Sequence, residues 1–310
     1  MAANHLPQLD RLFLTDAGLE TDMIFNEGRE LPCFASIMML RDAEGRQALD
    51  AYFRRYLDIA RQSGAGFVLE SVSWRASPDW AAPLGLTMAE LDELNRASIA
   101  MLRELRADYQ SPTMPVVVSG CIGPRGDGYD PGRIMRRDEA EAYHQHQAGV
   151  LASAGPDMLS AITMNNVNEA IGVARAARNV NLPVAISFTV ETDGRLPTGD
   201  SIEAAIEAVD DDLGGYPAYF MINCAHPSHF EGALRGGGAW AGRIKGIRAN
   251  ASRCSHAELD AMTELDSGDP RQLGQEYQAL RTLAPHLTVL GGCCGTDHRH
   301  VAAIAEACMA

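Results

Sequence analysis

Nowhere in the 310 residues do about 18 apolar side chains follow one another without interruption, so no segment is expected to span a bilayer as a helix. The opening stretch MAANHLPQLDRLFLTDAG lacks a charged segment followed by a long apolar run, and no secretory leader is expected. Basic side chains are scarce: 26 Lys and Arg stand against 41 Asp and Glu, for a formal net charge of −15. The acids are scattered and no basic stripe exists, which argues against nucleic acid and other phosphate-rich partners. No CxxC pair occurs, and the seven cysteines are odd in number and irregular in spacing, which disfavours a closed structural zinc site and a disulfide framework. These absences together predict a cytoplasmic protein in a reducing compartment. No glycine-rich phosphate turn follows the first candidate strand, against a doubly wound dinucleotide fold. The strand-1 segment LTDAGLE has no His-x-His, against a zinc hydrolase barrel. No linker, low-complexity tract or short repeat divides the chain, so residues 1–310 are expected to form a single domain.

What the chain does have is an alternation of short β-branched or apolar runs with longer amphipathic stretches. Candidate strands lie at 11–18, 66–72, 115–123, 157–164, 183–190, 218–226, 243–250 and 287–295, each followed by a helical stretch. In RQALDAYFRRYLDIARQSG, Leu49, Phe53, Tyr56, Leu57 and Ala60 recur at three- and four-residue steps and Gly64 supplies the stop. Asp297 is placed to cap the last helix. Eight βα units in a chain of this length predict one (β/α)₈ TIM barrel of the α/β class.

Barrel enzymes carry their chemistry at the carboxyl ends of the strands. The polar residues predicted there are Asp16, Glu70 with Trp74, Cys121, Thr163 with Asn165, Glu191, Asn223 with Cys224 and His226, Asn250, and Cys293 with Cys294. Neighbouring strand residues point to opposite faces, so Cys293 and Cys294 can share a target only where the strand breaks. The flanking Gly291, Gly292 and Gly295 are expected to supply that break. Cys224, Cys293 and Cys294 then form a three-thiolate set for a soft tetrahedral cation, Zn²⁺, with a fourth position open to substrate. His226 and His229 are alternative ligands. The bland alternative is three packed cysteines without metal.

The segments TDAGLETDM, SGCIGPRGDGY, NCAHP and GGCCGT, in that order along nearly the whole chain, resemble the zinc-dependent homocysteine S-methyltransferase family, which includes betaine- and S-methylmethionine-homocysteine methyltransferases. The resemblance implies a zinc-ligand role for Cys224, Cys293 and Cys294 and an acceptor-holding role for Asp16. It also implies a small-molecule thiol acceptor, a cationic methyl donor and a place in methionine biosynthesis. The family pattern is not kept throughout. Ala17 follows Asp16 where the family has glycine, Arg248 to Asn250 replace an aromatic-Pro-Asn stretch, Glu70 to Trp74 replace Thr-x-Thr-Tyr, and Ile162 stands where the family's acceptor-contacting glutamate falls.

The activity expected is methyl transfer from a small sulfonium or quaternary ammonium donor to a zinc-bound thiol such as homocysteine. The substrate contacts expected are Asp16, Glu70, Trp74, Thr163, Asn223 and Asn250. Trp74, Trp80 and Tyr129 are candidates to hold the onium group on their aromatic faces. Glu70 has two candidate partners, the donor cation and Arg75. Ile162 predicts weak homocysteine binding unless Glu191 or Glu70 reaches the acceptor's ammonium. Two further readings stay open: transfer from another onium or thioether compound to a non-homocysteine thiol, and a zinc and thiol binding protein without turnover. The donor and the oligomeric state, a homo-oligomer included, stay open as well.

Overall fold

A computed structural model describes residues 6–309. Eight parallel strands close on themselves in sequence order: β1 (Phe13–Leu14), β2 (Gly66–Glu70), β3 (Val116–Ile122), β4 (Met158–Met164), β5 (Val184–Phe188), β6 (Tyr219–Asn223), β7 (Ile244–Ala249) and β8 (Val289–Gly292). The seam is parallel too, with Phe13 beside Val289 and Leu14 beside Leu290. The predicted TIM barrel is therefore present, with strands somewhat shorter than the apolar runs suggested.

A long helix follows each strand: α1 (Ala43–Ser63), α2 (Met88–Tyr109), α3 (Arg137–Ser153), α4 (Val167–Asn179), α5 (Ile202–Leu213), α6 (Pro227–Gly236), α7 (Pro270–Leu283) and α8 (His298–Met309). In α1 the Asp42 side chain accepts from Gly45 N, and Gly64 closes the helix in the left-handed region. Its predicted stripe, Leu49 to Ala60, is buried. Asp297 accepts from Arg299 N at 2.8 Å at the start of α8, as expected of a cap.

Strand alternation divides the apolar residues into two layers. Phe67, Leu69, Val116, Val118, Ile247 and Ala249 face outward into the shell between sheet and helices. Val68, Val117, Cys121, Met158, Ile162, Tyr219 and Val289 face inward and fill the barrel. The same parity turns Glu70 on β2 and Arg248 on β7 inward, one layer above that filling, so the barrel's carboxyl end is capped by charge rather than by hydrocarbon.

Candidate metal centre and active site

The chain turns sharply after β8, just past two glycines set where space is short. A Cβ on Gly291 would stand 1.9 Å from Thr15 Oγ1, and one on Gly292 would stand 2.0 Å from Thr296 Oγ1. Both glycines are still in the strand, and they are there because neighbouring chain leaves no room for a side chain. Only Gly295, at φ 78°, has the left-handed backbone that the predicted break required. Cys293 N donates to Ala249 O at 2.8 Å and Ala251 N donates to Cys294 O at 3.1 Å, which pins the two cysteines against the end of β7.

Cys224 comes from the end of β6 and also departs from strand geometry, with φ 53°. A non-glycine residue there costs on the order of 1 kcal/mol and persists only where its surroundings impose it. Here His256 Nε2 donates to Cys224 O at 2.6 Å. The twist brings Cys224 Sγ to 2.7 Å from Cys293 Sγ and 3.8 Å from Cys294 Sγ. All three sulfurs lie within 4.8 Å of one another, and they form the one such group of potential metal ligands among the described residues. Metal–sulfur bonds of about 2.3 Å in a tetrahedron put ligand sulfurs about 3.8 Å apart, so the Cys224–Cys294 separation already suits a soft cation, and the Cys224–Cys293 pair would spread by about 1 Å to hold one. Hydrogen bonds from Cys293 and then Cys294 push the Cys224 thiol well down, while the same contact with Cys224 pushes Cys293 up to about 12.

The trio lines a cleft at the barrel's carboxyl end. Asp16, Glu70, Trp74 and Thr163 line it too. Asn223 and Asn250 do not. Asn223 is fully buried, accepting from Thr163 N and Ser187 Oγ and donating to Thr163 Oγ1 and, at 3.9 Å, to Cys293 Sγ, so it ties the end of β4 to the cysteine turn from outside the cleft lining. Thr163 itself has φ 64°. Asn250 is buried outside the cleft lining. His226 caps α6 by accepting from Ser228 N, and His229 donates to Arg253 O, so neither joins the thiols. Cys121 lines the cleft but stays outside the trio, and burial raises its thiol well above the usual range.

Three findings depart from the sequence expectations. Arg248 is buried and spans the barrel mouth: Nη2 reaches Asp16 Oδ1 at 2.7 Å, Nη1 pairs with Glu70, and Nε donates to Gly292 O at 3.2 Å. Glu70 is thus the partner of Arg248, not of Arg75. Arg75 instead donates to Cys33 O and lies over Trp80, 4.7 Å from the ring centroid, and over Trp74. Trp80 is outside the cleft lining, with its face taken by that guanidinium. Tyr129, by contrast, is central: its hydroxyl donates to Cys224 Sγ at 3.4 Å and lies 3.7 Å from Cys294 Sγ, and its ring stacks on His256 at 3.9 Å.

Strand-end reasoning passed over Glu20. It belongs to the single turn after β1, and its side chain enters the same cleft. Ser36 Oγ donates to Glu20 Oε1 at 2.6 Å, and burial raises the carboxyl above its ordinary range. The signal was present in TDAGLETDM, where an acid follows Asp16 by four residues on the same loop.

A model of the family described as homocysteine S-methyltransferase matches residues 13–308. Among curated proteins the chain is similar to homocysteine S-methyltransferase 4 of Zea mays, 24% identical over 271 residues that cover 79% of this chain and 76% of that protein. It is also similar to homocysteine S-methyltransferase 1 of Brassica oleracea var. italica, 24% identical with 94% and 92% covered. Among solved structures it superposes on the homocysteine methyltransferase MmuM of Escherichia coli in its metallated form, with TM-score 0.73, 21% identity and 96% of each chain covered, a likeness of fold. With the family model spanning all eight βα units and the three cysteines at its centre, the chain belongs to the homocysteine S-methyltransferase family.

Proposed function

We propose that this protein moves a methyl group from a small sulfonium or quaternary ammonium donor to the thiol of homocysteine, with Zn²⁺ held by Cys224, Cys293 and Cys294. The convergence of three sulfurs from two strand ends on the floor of one cleft carries the reading. Family membership and the metallated form of the similar MmuM support it. Bound zinc supplies a Lewis-acidic position at which an acceptor thiol is kept as thiolate at neutral pH.

The chain's own residues do the remaining work. The methyl carbon passes from the onium atom to the acceptor sulfur. A carbon–sulfur bond forms, the bond to the donor atom breaks, and its electron pair returns to that atom as a neutral thioether or amine. Charge is lost from both reactants, so a site poor in water favours the step. Trp74, whose Nε1 donates to Ile162 O at 3.1 Å, and the Tyr129 ring wall the cleft with aromatic surface that can face an onium group without hydrating it. The Arg248 brace holds Asp16, Glu70 and the carbonyl preceding Cys293 in one fixed frame.

No helix among the described residues is long and apolar enough to cross a membrane. We assign the protein to the cytoplasm on its free thiols, as expected from the sequence. The test of the function is a mass-spectrometric search for methylated product from zinc-loaded protein, homocysteine and a panel of onium donors. Methionine formed from at least one donor is expected. No methylated thiol from any donor, with zinc bound, would contradict the reading.

A further inference from the structure

Asp16 and Glu70, the two acids that strand-end reasoning placed in the site, are already committed. Both close on the single guanidinium of Arg248, and the Tyr52 hydroxyl donates to the other oxygen of Asp16 at 3.2 Å. All three guanidinium nitrogens are engaged in turn, since Nε reaches Gly292 O and Nη2 also reaches Ala17 O. Releasing either acid to a ligand would leave a buried charge short of its partner, which is strongly unfavourable. Glu191, the other acid considered from sequence, faces His256 at 3.1 Å and does not line the cleft. Ile162 lines it with hydrocarbon.

Glu20 is different. It lines the cleft with the three cysteines, it takes a hydrogen bond from Ser36, and among the described residues no Lys, Arg or His forms an ion pair with it. Glu20 is half-buried, and a carboxylate partly withdrawn from water without a cation beside it is completed by a ligand cation. A primary ammonium suits this position better than an onium group, because it has N–H bonds to donate to a carboxylate, whereas an onium group has none and gains more from the aromatic surface of Trp74 and Tyr129.

Resting on the methyl-transfer reading above, we propose that Glu20 binds the α-ammonium group of the acceptor, and so selects amino-acid thiols over thiols that lack an amine. This replaces the expectation drawn from Ile162, that homocysteine binds weakly: the acid absent at 162 is supplied from the loop after β1.

The test compares homocysteine with 4-mercaptobutyrate, the same thiol acid without its amine, by titration calorimetry on zinc-loaded wild type and Glu20→Gln. The Gln side chain keeps the shape and can still accept from Ser36. Wild type is expected to bind homocysteine at least tenfold more tightly than 4-mercaptobutyrate, and Glu20→Gln is expected to erase that preference while leaving 4-mercaptobutyrate affinity, zinc content and melting temperature near wild type. Glu20→Asp, which keeps the charge, is expected to retain part of the preference and guards against a Gln variant that fails to fold. An unchanged preference in Glu20→Gln overturns the proposal, as does an equal loss for both thiols. A loss seen only in donor affinity moves Glu20 to the onium group and also overturns it. Because binding is read directly, a wild type that prefers homocysteine yet makes no methylated product would count against the methyl-transfer reading alone.

Discussion

At the scale of the residue, the site is governed by where a few long side chains put their charge. Arg248 joins the ends of β1, β2, β7 and β8 through a single guanidinium, and its planar fork is what allows two carboxylates and two carbonyls to be served at once. Asp16 still bears a cost. Burial raises its carboxyl to about 6, with Arg248 pulling the other way and Glu70 adding to the rise. In the unfolded chain it titrates near 3.8. Between those values the folded protein keeps a proton that the unfolded chain has lost, so this group's contribution to stability is complete below about 4 and is lost as the pH rises through about 6. It therefore opposes the usual gain in stability as surface acids ionise. Asp16→Asn removes the opposing contribution, and denaturant melts taken from pH 4 to pH 6 should show a steeper rise in stability with pH for the variant than for wild type. Equal slopes would mean that Asp16 is ionised throughout, held so by Arg248.

At the scale of the element, the candidate metal centre depends on two strand ends that leave regular geometry at left-handed residues: β8 through Gly295, just past glycines that admit Thr15 and Thr296 against the backbone, and β6 through Cys224 itself. Gly292→Ala forces its methyl into Thr296, whose hydroxyl also donates to Cys293 O at 2.6 Å. The variant should lose zinc affinity by tenfold or more in a chelator competition, with a smaller loss in melting temperature, because the clash lies in the ligand-bearing turn and not in the barrel core. A variant with wild-type zinc affinity would show that the turn adapts. The elements themselves were legible from sequence, since periodicity gave all eight βα units in order and the cysteines followed from strand ends. Arg248 was legible in part: Ile247 and Ala249 face outward, so alternation alone turns it inward, but which acids a side chain of that length meets across a barrel depends on closure, which no local pattern encodes. Glu20 was hidden because it lies on a loop, where neither a period of two nor of 3.6 assigns a direction. Asn223 looked like a ligand residue for the opposite reason, since strand position puts it at the mouth while hydrogen bonds to Thr163 and Ser187 turn its amide into scaffold.

At the scale of the molecule, a closed barrel brings groups from distant parts of the chain to one face: residues 16, 20, 70, 224, 248, 293 and 294 share a cleft although they span most of the sequence. The acidic surface, net −15, suits a site that draws in cations rather than phosphates. The thiols outside the trio are set apart by position, Cys33 in a short 3-10 turn, Cys254 on a loop and Cys308 in α8, so they should be dispensable for metal. The account rests on the claim that Cys224, Cys293 and Cys294 hold one zinc ion on which methyl transfer depends. Elemental analysis of the purified protein, alongside Cys224→Ser, Cys293→Ser, Cys294→Ser and Cys121→Ser, tests it most directly. About one zinc per chain is expected in wild type and in Cys121→Ser, with zinc and methyl transfer lost together in each of the other three; wild-type protein that transfers methyl groups at full rate without stoichiometric zinc would contradict the account.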